Sequence, residues 1–402
     1  MNSLSARSLD AGQHSYREEE RAELWRKLGT SPSAVRELLH YCRPVFDVTA
    51  LEQPPRLPLE DEDSVAAWEF YAKVLDENRS LRALAPYLPQ LRFPVIEGMS
   101  QLDSYRAATR RGSESSIHTQ ATGLPLKCAS DCRILLHPTA AGRIPVLVVP
   151  DRDDFVAVVQ ALTRKNEPVR IPPSMGAVMV AGYNNWDRIR RLREAFFQAN
   201  PGASDAAWQV RFEAIKASRH LYQDRFIILG SGPYSGVNGA LLGLTNAEWN
   251  AMSMLVRCEH ECAHYITRRI LGAMSNCIHD ELLADAYALV SVTGSFQPAW
   301  FLRFMGLEFY PAYRTGGRLE NYRGNPMLSE EAFRALQTAV FRAAQNIAAF
   351  ATGRTLVSSR QRLVFLFAMA AMSLEDLAAA RAATALGENF DRYLQHLNFE
   401  EN

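Results

Sequence analysis

His260-Glu261-Cys262-Ala263-His264 places two imidazoles and a carboxylate within five residues. On a helix that steps about 100° per residue, His264 falls about 40° from His260 and one turn along. Both imidazoles then leave one face, close enough for two ring nitrogens to reach a single ion at about 2 Å. Glu261 falls about 100° from His260, beside the pair rather than on it. From there it can approach a metal-bound water without binding the metal. The chemistry implied is metal-assisted attack by water, with Glu261 as general base.

Such a site needs a third protein ligand. The chain turns at Gly272, and a second helix is expected from near Asn276, carrying Glu281-Leu282-Leu283-Ala284-Asp285. Glu281 and Asp285 lie four apart and share a face. Ala284 and Ala288 flank it, small enough for two helices to approach toward the close end of about 8–10 Å. Glu281 is the expected third ligand, with Asp285 outside it, accepting the far N–H of a ligand histidine. Cys277, His279 and Asp280, in or near the turn, are alternative ligands. Donors for a developing oxyanion are sought in Glu308–Tyr322, EFYPAYRTGGRLENY, whose candidates are Tyr313, Arg318 and Tyr322. The loop Gly230–Gly239, with Tyr234 and Asn238, is the other candidate wall.

HECAH followed by ELLAD resembles the zincin metallopeptidases in their gluzincin form, HExxH…ExxxD, over residues 245–290. The whole chain is similar to uncharacterised bacterial HExxH proteins. The resemblance implies zinc held by His260, His264 and Glu281, with Glu261 as base and Asp285 as the supporting carboxylate. It also implies a strand beside the cleft that pairs with an extended peptide, and Arg225–Leu229 is the expected cleft-edge strand. The expected function is therefore a zinc-dependent hydrolase, a metallopeptidase acting on a cytoplasmic peptide or protein. Two other readings use the same donors. Two His and one carboxylate also form the facial triad of non-haem Fe(II) oxygenases, with Arg257 or Arg318 as the anchor for a 2-oxo acid and a peptide as the molecule modified. The third reading is a non-catalytic binding protein whose metal holds two helices together.

The helix that presents these residues has its own signals. Thr245-Asn246-Ala247-Glu248 fits a capping box, and Gly272 fits a C-cap. Met252, Leu255, Ala263, Ile266 and Ile270 fall between roughly 220° and 300° as an apolar stripe. Glu259 falls inside that stripe and needs a partner. Cys258 and Cys262 fall near about 160° and 200°, nearly opposite the histidines. They cannot share the histidines' ion and read as buried thiols.

Around this helix the expected fold is α+β and predominantly helical, with a zincin-like active-site helix pair and a small sheet upstream. Residues 1–20 read as a flexible N-terminus and 21–125 as a helical region. Residues 126–244 read as an α/β region that includes the cleft-edge strand, and 245–402 as the helical region carrying the site. Helices are expected at Glu20–Leu28, Ser33–Tyr41, Asp63–Glu77 (capped by Asp61 or Asp63), Asp154–Arg164, Trp186–Asn200 and Ala206–Leu221. Strands are expected at Arg133–His137, Ile144–Val149, Ala177–Ala181 and Arg225–Leu229. A polar loop surrounds Gly112, and the basic run Arg188–Arg193 reads as a solvated helix face.

Composition removes several alternatives. The 44 basic and 44 acidic side chains balance to zero, which gives no electrostatic case for nucleic acid or an anionic membrane. The longest apolar run, Leu363–Met372, is too short to span a bilayer and reads as a buried helix. The N-terminus has no apolar signal segment. Six irregularly spaced cysteines form no disulfide framework and suit a reducing, cytoplasmic setting. Cys128 and Cys132 read as packing residues.

Overall fold

Ile144–Val149 reads IPVLVV, with no polar residue to turn outward, and a strand apolar on both sides belongs inside a sheet. The computed structural model describes residues 18–112, 121–275 and 277–399, and in it this segment is β2, buried at all six positions. With β1 (Arg133–His137), β3 (Ala177–Asn184) and β4 (Gln223–Gly230) it makes a mixed sheet in the order β1-β2-β4-β3. β1 runs antiparallel to β2, with Ile134 opposite Leu147. β2 runs parallel to β4, with Leu147 opposite Ile228. β3 runs antiparallel to β4 and bulges between Ala181 and Tyr183, where Gly182 takes φ +85°.

The expected cleft-edge strand is therefore not at an edge. β4 pairs on both sides, and the outer strands are β1 and β3. Its run Phe226-Ile227-Ile228-Leu229 is buried throughout, which is the mark of an interior strand.

Helices supply the rest, and the protein is a predominantly helical α+β fold, with 57% of the described residues helical. Residues 18–27 form α1, followed by α2 (Pro32–Tyr41), α3 (Val65–Asn78) and α4 (Asp103–Arg110). Between strands lie α5 (Arg152–Thr163), α6 (Trp186–Ala199) and α7 (Asp205–Ala217). Then come α8 (Asn246–Ile270), α9 (Ile278–Thr293) and α10 (Pro298–Met305), followed by α11 (Glu330–Ala351), α12 (Ser359–Ala370), α13 (Leu374–Ala378) and α14 (Ala382–His396). Most of the N-terminal segment expected to be flexible, residues 1–17, and residues 113–120 of the polar loop lie outside the described residues. Neither Asp61 nor Asp63 caps α3, which starts behind Ser64 without a side-chain cap. Asp61 instead accepts from Arg143 N and Nε, both at 2.7 Å.

The chain divides into two units. One comprises Pro58–Tyr234 with Ala247–Glu261, and the other the remaining residues; α8 runs unbroken through the boundary. In the remaining-residue unit, α12 buries every residue from Leu363 to Ala370, as the apolar run requires. Glu375, also buried, accepts from Trp25 Nε1 at 3.1 Å and pairs with Arg21 at 2.9 Å, which ties α1 to α13. Among the described residues no helix is long and apolar enough to cross a membrane.

In the sheet unit, Trp68 and Tyr71 of α3 and Phe155, Val158 and Leu162 of α5 share one core with Leu147, Val149, Phe226 and Ile228. A buried polar knot sits within it. Asp224, 1% exposed, accepts from Trp68 Nε1 (2.9 Å), Asn185 Nδ2 (2.6 Å) and Arg188 Nη1 (2.7 Å). The basic run is thus not simply a solvated face: Arg188 is buried, and Arg190 and Arg191 pair with Asp187. Removing Asp224 would strand a buried guanidinium with an indole and an amide donor. Asp224→Ala should cost about 3–5 kcal/mol, read as a lower midpoint in urea unfolding; a midpoint like the wild type's would remove the knot from the stability of this core.

Candidate metal centre

α8 runs 25 residues without Gly or Pro, a length that holds side chains in a fixed angular register. Leu271 N donates back to Thr267 O, and Gly272, at φ +71°, reverses the chain as a C-cap glycine does. Asp280 Oδ2 accepts from Ser275 N at 2.7 Å and fixes the turn into α9. Tyr41 secures the start of α9. Its hydroxyl accepts from Ile278 N (3.1 Å) and donates to Tyr322 O (2.6 Å).

On this frame His260, His264 and Glu281 offer one ligand atom each, all within 4.8 Å of one another, and all three are buried. Each donor is backed by a second group. His264 Nε2 lies 3.6 Å from Glu281 Oε1, near the about 3.3–3.5 Å between donors on a tetrahedral zinc with bonds of about 2.0–2.2 Å. The other nitrogen, Nδ1, lies 3.3 Å from Asp280 Oδ1. Glu281 Oε2 accepts from Tyr322 Oη at 2.7 Å, which leaves Oε1 toward His264. His260 Nδ1 lies 3.0 Å from Tyr234 Oη. A tautomer that donates Nδ1–H to that oxygen keeps the Nε2 lone pair for an ion. Two imidazoles and a carboxylate, with a phenol bonded to His260 and to Glu281 and a carboxylate beside His264, fit zinc or a similar divalent ion.

The electrostatics favour positive charge at this point. Burial alone would lower the His264 pKa, but the carboxylates of Asp280 and Glu281 outweigh it and hold it well above the ordinary value. Glu261 stays half-buried beside buried His260.

The remaining expected residues fall as follows. Of the possible third ligands, Glu281 shares the group with the histidines. Asp280 faces the outer nitrogen of His264, the position expected for Asp285. Asp285 receives Arg318 Nη2, while Arg318 Nη1 donates to Ser235 Oγ at 2.9 Å. Tyr313 Oη donates to Gly317 O at 3.0 Å, and burial pushes its pKa up to about 12. His279 packs on Phe46, and burial pushes it down to about 4. The partner that Glu259 lacked is His137, whose Nε2 lies 3.1 Å from Glu259 Oε1. Leu255, expected in the apolar stripe, is 57% exposed, while Trp249, Val256, Tyr265 and both cysteines are buried. From Cys262 to Thr267 every residue is buried, so no single stripe describes this helix.

Sequence reasoning missed the support of Tyr234. Arg257 donates to the carbonyls of Gly230 (3.3 Å), Gly232 (2.9 Å) and Pro233 (3.0 Å). Tyr234 N then donates to Ser253 Oγ at 2.9 Å, which sets the phenol against His260. Gly176 leaves room for this arginine, since a Cβ there would run into its Nε.

Fold and site together define an α+β protein with an HExxH helix and a buried His/His/Glu group. The chain belongs to a family described as "Family of unknown function (DUF7005)", matched over residues 23–381. No curated protein and no solved structure matches it.

If the group holds zinc and Asp280 and Tyr322 orient its ligands, Asp280→Asn and Tyr322→Phe should each weaken that binding about 10–100-fold. Competition against a chromogenic chelator reads this. Wild-type affinity in both variants would remove them from the support of the ion.

Proposed function

We propose that this protein is a zinc-dependent hydrolase, a metallopeptidase that cleaves a peptide or protein with Glu261 as general base. The observation that carries the reading is the buried His260, His264 and Glu281 group on an HExxH helix. Zinc held by His260, His264 and Glu281 would supply Lewis acidity and lower the pKa of a water to near 7. Glu261, one residue after His260 in the HExxH sequence, would take the proton of the attacking water and pass it to the leaving amine. Tyr322 donates to Glu281, and Asp280 lies beside the outer nitrogen of His264. An extended peptide pairing with the sheet would use β1 or β3, since β4 has no open side.

The oxygenase reading draws on the same donors but finds less support. Arg257 spends its donors on three carbonyls, and Arg318 is paired with Asp285. Neither is placed as an obvious anchor for a 2-oxo acid.

Glu261→Gln should keep the wild-type metal content and lose on the order of 10²–10⁴-fold in turnover. His260→Ala should hold one metal equivalent fewer than wild type. The assays are elemental analysis and mass spectrometry of a mixed peptide library incubated with zinc-replete protein. No cleavage by replete wild type, or cleavage untouched by Glu261→Gln, would overturn the peptidase reading. Iron in place of zinc at this group, with oxygen-dependent modification of peptides, would establish the oxygenase.

A further inference from the structure

α8 carries a second pair of metal-ligating side chains that the mechanism above does not use. Cys258 and Cys262 lie one turn apart, roughly 160–200° around the helix from His260. Both are buried, at 7% and 1% exposure. His137, at the end of β1, joins them: one ligand atom from each of the three lies within 4.8 Å of the other two. Donors on a tetrahedral zinc with bonds of about 2.0–2.3 Å are about 3.6–3.8 Å apart, so small side-chain movements would close the group on an ion.

We propose that His137, Cys258 and Cys262 form a second, thiolate-rich divalent-metal site, whose natural ion is zinc and whose role is structural. Glu259 provides the outer support. With the imidazole proton on Nε2 and donated to the Glu259 carboxylate at 3.1 Å, the Nδ1 lone pair is free to ligate. Each thiol gives its proton to solvent as its sulfur binds the ion, so loading is linked to pH. The alternative use of the same side chains, a Cys258 nucleophile activated by His137, is disfavoured by burial, because reactive thiols sit in partly exposed settings. It also leaves Cys262 without a purpose.

The site does not depend on the hydrolase reading, and its test separates the two. Full-length protein, reduced and stripped by chelator, is titrated with cobalt(II). A thiolate-to-cobalt charge-transfer band should rise and saturate within two equivalents in the wild type, which offers two donor groups, and at one equivalent in His260→Ala. It should persist in His260→Ala and vanish in the double variant Cys258→Ser, Cys262→Ser. His137→Gln should weaken the band's apparent affinity by at least about 10-fold. No band in the wild type, or a band that survives the double variant, overturns the proposal. A band lost in His260→Ala overturns it too, because the two ions would not be independent. If the double variant does not fold, wild-type protein decides the matter. Zinc should slow alkylation of Cys258 and Cys262 at least about 10-fold and leave half-buried Cys128 at its metal-free rate. Equal rates with and without zinc at Cys258 and Cys262 overturn the proposal.

Discussion

Asp280, Glu281 and Asp285 bury three carboxylates within the first two turns of α9, at 1%, 8% and 0% exposure. The effective penalty for desolvating an ion inside a protein is several kcal/mol. The N-terminal dipole of a helix returns only about 0.3–1 kcal/mol for a nearby anion, up to about 2 when partly buried. The surroundings must supply the rest, and each carboxylate has its own partner. Asp285 receives Arg318, Asp280 receives Ser275 N and faces His264, and Glu281 receives Tyr322. Tyr41, donating to Tyr322 O and accepting from Ile278 N, holds the strip carrying Tyr322 to the start of α9. Asp285 is matched by a full positive charge. Asp280 and Glu281 converge on a single imidazole, and a divalent cation beside His264 would complete that balance.

The parts of this arrangement legible in the sequence are those that depend on one helix at a time. The spacing of His260 and His264 becomes a shared face because α8 is regular over its whole length. Glu281 was identifiable because it lies one turn into the next helix. The choice between Asp280 and Asp285 as the outer carboxylate was not legible. It depends on how far α9 is shifted and rotated against the end of α8, which no local pattern encodes. Tyr41, Tyr234 and Tyr322 come from three separate segments, and only tertiary packing brings each hydroxyl to its partner. The sheet divides in the same way. Arg133–His137 and Ile144–Val149 were readable from their apolar runs, whereas strand order is a global property. The two-sided apolarity of Phe226–Leu229 did carry a signal that β4 lies inside the sheet.

Two buried arginines and the half-buried Arg318 show why charge is a poor guide to ligand sites when read from sequence. Arg188 neutralises Asp224, Arg318 neutralises Asp285, and Arg257 ties down the carbonyls of Gly230, Gly232 and Pro233. A guanidinium has five N–H donors and no acceptor, so it can gather several backbone oxygens at once. Burial pushes the Arg257 pKa down to about 10, which still leaves it cationic at neutral pH. Its position is architectural: it shapes the loop that brings Tyr234 to His260.

α8 presents two donor pairs with the same spacing and different chemistry. His260 and His264 offer nitrogen to a group completed by a carboxylate, and Cys258 and Cys262 offer sulfur to a group completed by an imidazole. Nitrogen with oxygen accepts zinc, iron and other divalent ions with similar geometry. Two thiolates select for softer ions, zinc among them. The ligands thus allow the two positions to differ in metal. The helix, however, ties them geometrically, because any slip or kink between residues 258 and 264 displaces both pairs. The near-continuous burial from Val256 to Thr267 resists such a change. A regular, enclosed helix is the scaffold on which donor positions can be held to within about 0.5 Å, which a loop could not guarantee for either group.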